Sequence, residues 1–246
     1  MNIKEFGLLA ALISITFLVT GCIVIDLGGC SKKRVKGSGN VITEERIVPE
    51  FNTVKLKGLG NIVLIKGERH SVEIRTDDNL MSLIETDVDI GKLVISQGNY
   101  NLKPTSLDFN ITVANLKGIS ISGSGNVTGE SRFASDEFFA KISGSGDMTL
   151  ELEVANLESK ISGSGSMNLS GKTENHKAAI SGSGKINAFD MDTKNVSIKI
   201  SGSGDCKVSA TETLTAKISG SGDVYYRGQP QINSKISGSG SLESRN

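Results

Sequence analysis

The pentapeptide Ile-Ser-Gly-Ser-Gly constrains this chain more than any other feature. It occurs seven times, beginning at Ile121, Ile142, Ile161, Ile180, Ile200, Ile218 and Ile236, at intervals of 21, 19, 19, 20, 18 and 18 residues. So short a period cannot be a row of domains; it is one supersecondary unit repeated. A unit of about 20 residues is too small to bury its own apolar face, so neighbouring units must stack into one continuous core. A solenoid also accommodates all 246 residues without dividing, because it grows by adding coils.

Aligned on the first Ile, the apolar and small residues fall at even offsets. In one coil these are Leu157, Ser159 and Ile161, then Met167 and Leu169, and the neighbouring coils repeat the pattern. That is the period of two of a strand with one buried face, and the 3.6-residue spacing of a helix is absent. Two glycines between the columns mark a corner. Asn126, Asp147, Asp205 and Asp223, each following the second Gly, favour tight turns. Each coil therefore reads as strand, corner, short strand and loop. Stacked, such coils of 18–21 residues give parallel sheets in an all-β solenoid that rises about 4.8 Å per coil.

Residues 37–118 spell the pattern less regularly. Gly37-Ser38-Gly39-Asn40-Val41 and Leu56-Lys57-Gly58-Leu59-Gly60 match the corner, and Ile74 and Ile95 begin poorer matches. The spacing predicts a single solenoid domain over 37–246, with degenerate coils at 37–118 and regular ones at 119–246, since terminal coils must cap a stack. The alternative is a separate small β domain at 37–118.

The N-terminus is an address. Lys4 precedes an uncharged apolar run at 6–19, shorter than the about 20 residues of a membrane span. The run ends in Val19-Thr20-Gly21-Cys22, which resembles the lipobox of bacterial lipoprotein signals. That resemblance implies a signal peptide at 1–21, lipidation at Cys22 and a lipidated tether at 22–36, with the membrane as a partner through the anchor. The plainer reading is a free cysteine after an ordinary signal peptide. Cys30 is a second candidate, though Asp26 interrupts the run before it. Ile23, in place of the Asp that retains such proteins at the inner membrane, points to an outer-membrane lipoprotein with a periplasmic or surface face. Cys206 falls in a core column and reads as a small apolar residue.

Composition narrows the function. The 27 basic and 27 acidic residues balance, which argues against nucleic acid as partner. With no Trp, three Tyr and eight Phe, stacking platforms are scarce. An outward column carries Lys141, Lys160, Lys199, Lys217 and Lys235. It reads either as a solvated stripe that discourages sheet aggregation or as a ladder that meets an anionic glycan or headgroup. Asn156, Asn175 and Asn195 share another column and read as an amide ladder at a corner.

No pattern of catalysis emerges. The corner resembles the calcium-binding nonapeptide, but Ser166, Lys185 and Ser241 replace its acidic residue, and a Lys repels a cation. No phosphate loop is present, and no metal or cofactor is expected. Repeated serines need a base and an orienting group. The only histidines are His70, in a turn, and His176, in a core column. Asp77 and Asp78 beside Arg75 form the one cluster that suggests a polysaccharide-active enzyme, and the chain reads as a non-enzyme.

With these residues in view, the chain resembles the head GIN domain family of auto-transporter adhesins. The resemblance covers about residues 37–246. It rests on Gly-Ser-Gly-Asn-Val-Ile-Thr-Glu-Glu-Arg at 37–46, Asn79-Leu80, Val-Ala-Asn-Leu-Lys-Gly-Ile-Ser-Ile-Ser-Gly-Ser-Gly at 113–125 and Ile-Ser-Gly-Ser-Gly-Asp-Val-Tyr-Tyr-Arg-Gly-Gln-Pro at 218–230. The family implies a right-handed parallel β-helix without lyase catalytic residues, and a role in adhesion. The expected function is a lipid-anchored envelope module that binds a cell-surface glycan or protein, with room for homo-oligomers. A structural or sensing envelope protein is the alternative.

Overall fold

The computed structural model describes residues 32–246, which form one compact unit. The signal peptide at 1–21, Cys22, Cys30 and the first part of the tether at 22–36 lie outside the described residues. The described residues form a β-solenoid of about 7 turns, built almost wholly of strands, with one short helix among them at Asp78–Met81.

The strand Asp147–Gly163 makes one regular coil. Met148, Leu150, Leu152 and Val154 point inward and are buried; the alternation then skips at Ala155–Asn156, a corner, and resumes with Leu157, Ser159 and Ile161. The coil pairs in parallel with its neighbours on both sides, with one register shift between Thr128 and Arg132, and Ile142, Ile161 and Ile180 stack. Fully burying one such side chain contributes roughly 2 kcal/mol, and in-register stacking repeats that gain at every level.

The corner explains its own spelling. Ser164 N–H donates to the Gly144 carbonyl (2.9 Å), and Ser183 N–H to Gly163 (2.9 Å). At Gly163 φ is +130°, and a Cβ there would overlap the Gly144 carbonyl oxygen of the coil below. Only glycine allows coils to approach this closely through a turn of that hand. The first half lacks this chemistry in part, and its topology departs from simple stacking.

The coil built from Thr53–Gly58 and Asn61–Lys66 lies between two others. On one side it pairs in parallel with Gly118–Gly123 and Asn126–Gly144. On the other it pairs in parallel with Lys92–Ser96 and Leu107–Val113. Spatial order thus differs from chain order. Leu56 and Ile95 join the Ile column, whereas Ile74 does not begin a coil. It lies in Ser71–Asp77, which runs antiparallel to Leu107–Val113 and to Val41–Arg46. The 37–41 match to the corner likewise leads into an antiparallel strand. Glu85–Asp89 runs antiparallel to Lys92–Ser96. The chain first lays a reversed cap, with Leu80, Met81 and Ile84 closing the core end, and then fills the coil beneath it.

Candidate functional site

The sequence-predicted lysines lie in one register column on the outer face of the Ile-bearing strands. Lys141 pairs with Lys160, Lys160 with Ala179, Ala179 with Lys199, Lys199 with Lys217, and Lys217 with Lys235. Lys55, opposite Ser120, extends the column by two levels. Reading by the Ile alone misses it, because Leu56 stands where the Ile would be. Lys141 is engaged: its Nζ lies 3.1 Å from Glu158 Oε1 and 5.1 Å from the Phe139 ring centroid. The other four predicted lysines are exposed and have no carboxylate partner among the described residues.

Beside this column runs an open groove of about 710 Å³. Its walls include Asn156, Asn175 and Asn195 together with Phe139, Glu158 and Lys177. Parallel pairing places the amides one above another, and they bond as a ladder. Asn175 Nδ2 donates to Asn156 Oδ1 (2.9 Å), Asn195 Nδ2 to Asn175 Oδ1 (3.2 Å), and Thr213 Oγ1 to Asn195 Oδ1 (2.7 Å). Each amide that donates along the ladder keeps a second N–H for a ligand. Lys117, Lys177, Glu137 and Glu158 all line the groove, so its walls carry both signs of charge. The groove has no signature along the chain, because it spans several coils and arises only when they stack.

The remaining candidates have structural partners. Asp77 is fully buried; its Oδ1 accepts from Gly39 N–H (2.7 Å) and Thr105 Oγ1 (2.8 Å), and its Oδ2 from Thr105 N–H (2.7 Å). Burial alone would raise its pKa, but the bonds from Thr105 and Gly39 outweigh that and hold it below the usual carboxylate value. Asp78 accepts from Ser38 Oγ (2.6 Å) and Asn40 Nδ2 (2.9 Å), which lower its pKa in the same way. Arg75 turns away to Asp108 (3.3 Å). The three are not assembled as a catalytic group; the two aspartates tie Ser38, Gly39 and Asn40 to the cap.

His70 accepts the Phe51 N–H at Nδ1 (3.2 Å) and packs edge-on to that ring, so it is a packed residue rather than a free turn. His176 is buried, with Nε2 2.7 Å from Ser159 Oγ, and burial lowers its pKa to about 4. The Cys206 thiol is buried and pushed up to about 12, first by burial and then by the Asp205 charge, which leaves it unreactive. Among the described residues no group of three or more His, Cys, Asp or Glu could hold a metal ion, and no helix is long and apolar enough to cross a membrane.

Comparison with known proteins agrees with this architecture. The family model described as "Putative auto-transporter adhesin, head GIN domain" matches residues 50–230. A crystal structure of a "putative adhesin" from Bacteroides fragilis is similar at 26% identity and a TM-score of 0.80, covering 86% of this chain and 100% of that one. One of a "putative adhesin" from Parabacteroides merdae is similar at 27% identity and a TM-score of 0.71, covering 87% and 100%. A "putative lipid binding protein" from Parabacteroides distasonis is similar at 26% identity and a TM-score of 0.74, again covering 87% and 100%. None of the curated proteins matches the chain.

Proposed function

The chain belongs to the head GIN domain family, and from that premise we propose that it is a lipid-anchored adhesion module of the bacterial cell envelope. Its ligand is an extended surface glycan that carries acidic groups. The observation that carries this reading is the groove of about 710 Å³ beside the lysine column. A rigid solenoid repeats the same shallow contact at every coil, about 4.8 Å apart, so weak contacts add along a repeating polymer. The amides offer hydrogen-bond donors, and the lysines attract anions and speed encounter. The lipobox-like stretch ending at Cys22 supports anchoring, and the names of the similar structures support a binding role rather than an enzymatic one.

The test is glycan-array binding by the full chain in detergent. Binding to acidic glycans is expected, and the double variant Lys160→Glu with Lys199→Glu should weaken it at least about tenfold, or about 1.4 kcal/mol. Unchanged binding by the double variant, or no binding to any acidic glycan, refutes the ligand assignment. Separately, Cys22→Ser should move the protein from membranes to the soluble fraction; retention in membranes refutes the anchor at Cys22.

A further inference from the structure

The two ends of the solenoid are unlike. The N-terminal end is closed by reversed strands and by Leu80, Met81 and Ile84, all buried. At the other end, among the described residues, the strand Gln231–Gly238 pairs only with Thr213–Gly220. Its inward column is bare: Ile232 is 43% and Ile236 41% exposed, whereas Leu214 and Ile218, one coil in, are 0% and 2% exposed. The last coil is spelled like an interior coil, with an intact Ile-Ser-Gly-Ser-Gly. An edge with unpaired backbone groups and an apolar column is a template for another strand.

We propose that this edge is a homodimer interface, in which the strand Gln231–Gly238 pairs antiparallel with its copy about a two-fold axis at Ser234. Three features select a second copy in this arrangement. First, the strand is self-complementary about Ser234. In the sequence Ile232-Asn233-Ser234-Lys235-Ile236, reversal about Ser234 sets Ile232 against the partner's Ile236 and Lys235 against the partner's Asn233. A two-fold axis normal to the sheet keeps both inward columns facing the shared core.

Second, charge excludes the neighbouring register. A two-fold at Lys235 would set the lysine against its own copy, and like charges directly opposite destabilise a sheet. A two-fold at Asn233 would set Ile236 against the partner's Pro230, which has no N–H to give. Third, the capped N-terminal end bars head-to-tail growth. Among the described residues only this end is open, and an isologous contact between two such ends closes. The chain enters the solenoid on the capped side, where Lys33–Lys36 pairs with Tyr100–Lys103. Both chain entries therefore lie at the outer ends of the dimer, and the two outer faces join into one longer array.

The test uses the full chain in mild detergent. Analytical ultracentrifugation at micromolar concentration should give a dimer, and Ile236→Lys should give a monomer with an unchanged circular dichroism spectrum. Under oxidation, the Ser234→Cys variant should form a disulfide between the two introduced thiols, one from each copy, found by peptide mapping. Opposed residues of an antiparallel pair lie about 4.5–5.5 Å apart at Cα, within disulfide reach. Ser162→Cys, in mid-stack, should not cross-link. A monomer at every concentration, a dimer that survives Ile236→Lys, or oxidation of Ser234→Cys without that cross-linked peptide would each overturn the proposal.

Discussion

At the scale of single residues, chemistry and environment disagree most plainly at two of the described positions. Ile90 is one. It sits with Gly91 in the two-residue turn between Glu85–Asp89 and Lys92–Ser96, at φ +46° and 97% exposed. A β-branched residue resists that conformation, and such turns favour Asn-Gly. Replacing Ile90 by Asn should stabilise the protein by about 1 kcal/mol; a lower or unchanged denaturant midpoint would contradict this.

His176 is the other. Its ordinary pKa of 6.5 falls to about 4 in the fold, because burial penalises the imidazolium. The unfolded chain therefore binds more protons between those values, and stability must fall as pH drops through that window. Stability is whole above 6.5, and the loss is complete near 4. The shift corresponds to about 3 kcal/mol. His176→Leu, which copies Leu157 and Leu214 in the same column, should flatten the pH dependence of unfolding over that range. Asp77, Asp78 and Asp108 have pKa values lowered below 3.8, so their loss of stability comes at lower pH and does not mask the effect.

At the scale of elements, corner and cap differ in how they hold. Each corner is local: a glycine, a backbone bond to the coil beneath and a buried Ile. The cap depends on long-range carboxylate contacts, chiefly those of the buried Asp77. Asp77 gathers Gly39, 38 residues before it, and Thr105, 28 residues after it. Asp77→Asn puts an NH₂ where one carboxylate oxygen accepts from N–H or O–H donors. Hydrogen exchange should then quicken across Val41–Arg46 and Tyr100–Lys103 while Asp147–Gly163 keeps its protection. Uniform quickening along the chain would show that the cap is not a separable unit.

At the scale of the molecule, a stack of coils has stability set by nearest neighbours. Ile161 lies in mid-stack and is fully buried. Ile161→Asp places a charge there without a partner, and should abolish cooperative thermal unfolding. The same change at Ile236, 41% exposed in a single copy, removes only the contact between copies, so it should keep a cooperative transition and lower the melting temperature by less. Equal loss at the two positions would refute the difference between core and end.

The sequence alone determined the coil, its period, its inward columns and its glycine corners, because each is a local pattern repeated until chance is excluded. Leu157, Ser159 and Ile161 are legible as a buried face from their spacing alone. Tertiary structure decided what depends on contacts across coils. It placed the coil at Thr53–Lys66 between two later-read neighbours, turned Ile74 into a reversed strand, and set Asp77 as a tie rather than a catalytic group. It also joined Phe139, Asn175 and Lys177 into a groove. Residues 37–118 lack the repeated spelling that carries the rest, so nothing local distinguishes a forward coil from a reversed cap. Backbone pairing and burial, summed over distant strands, make that choice.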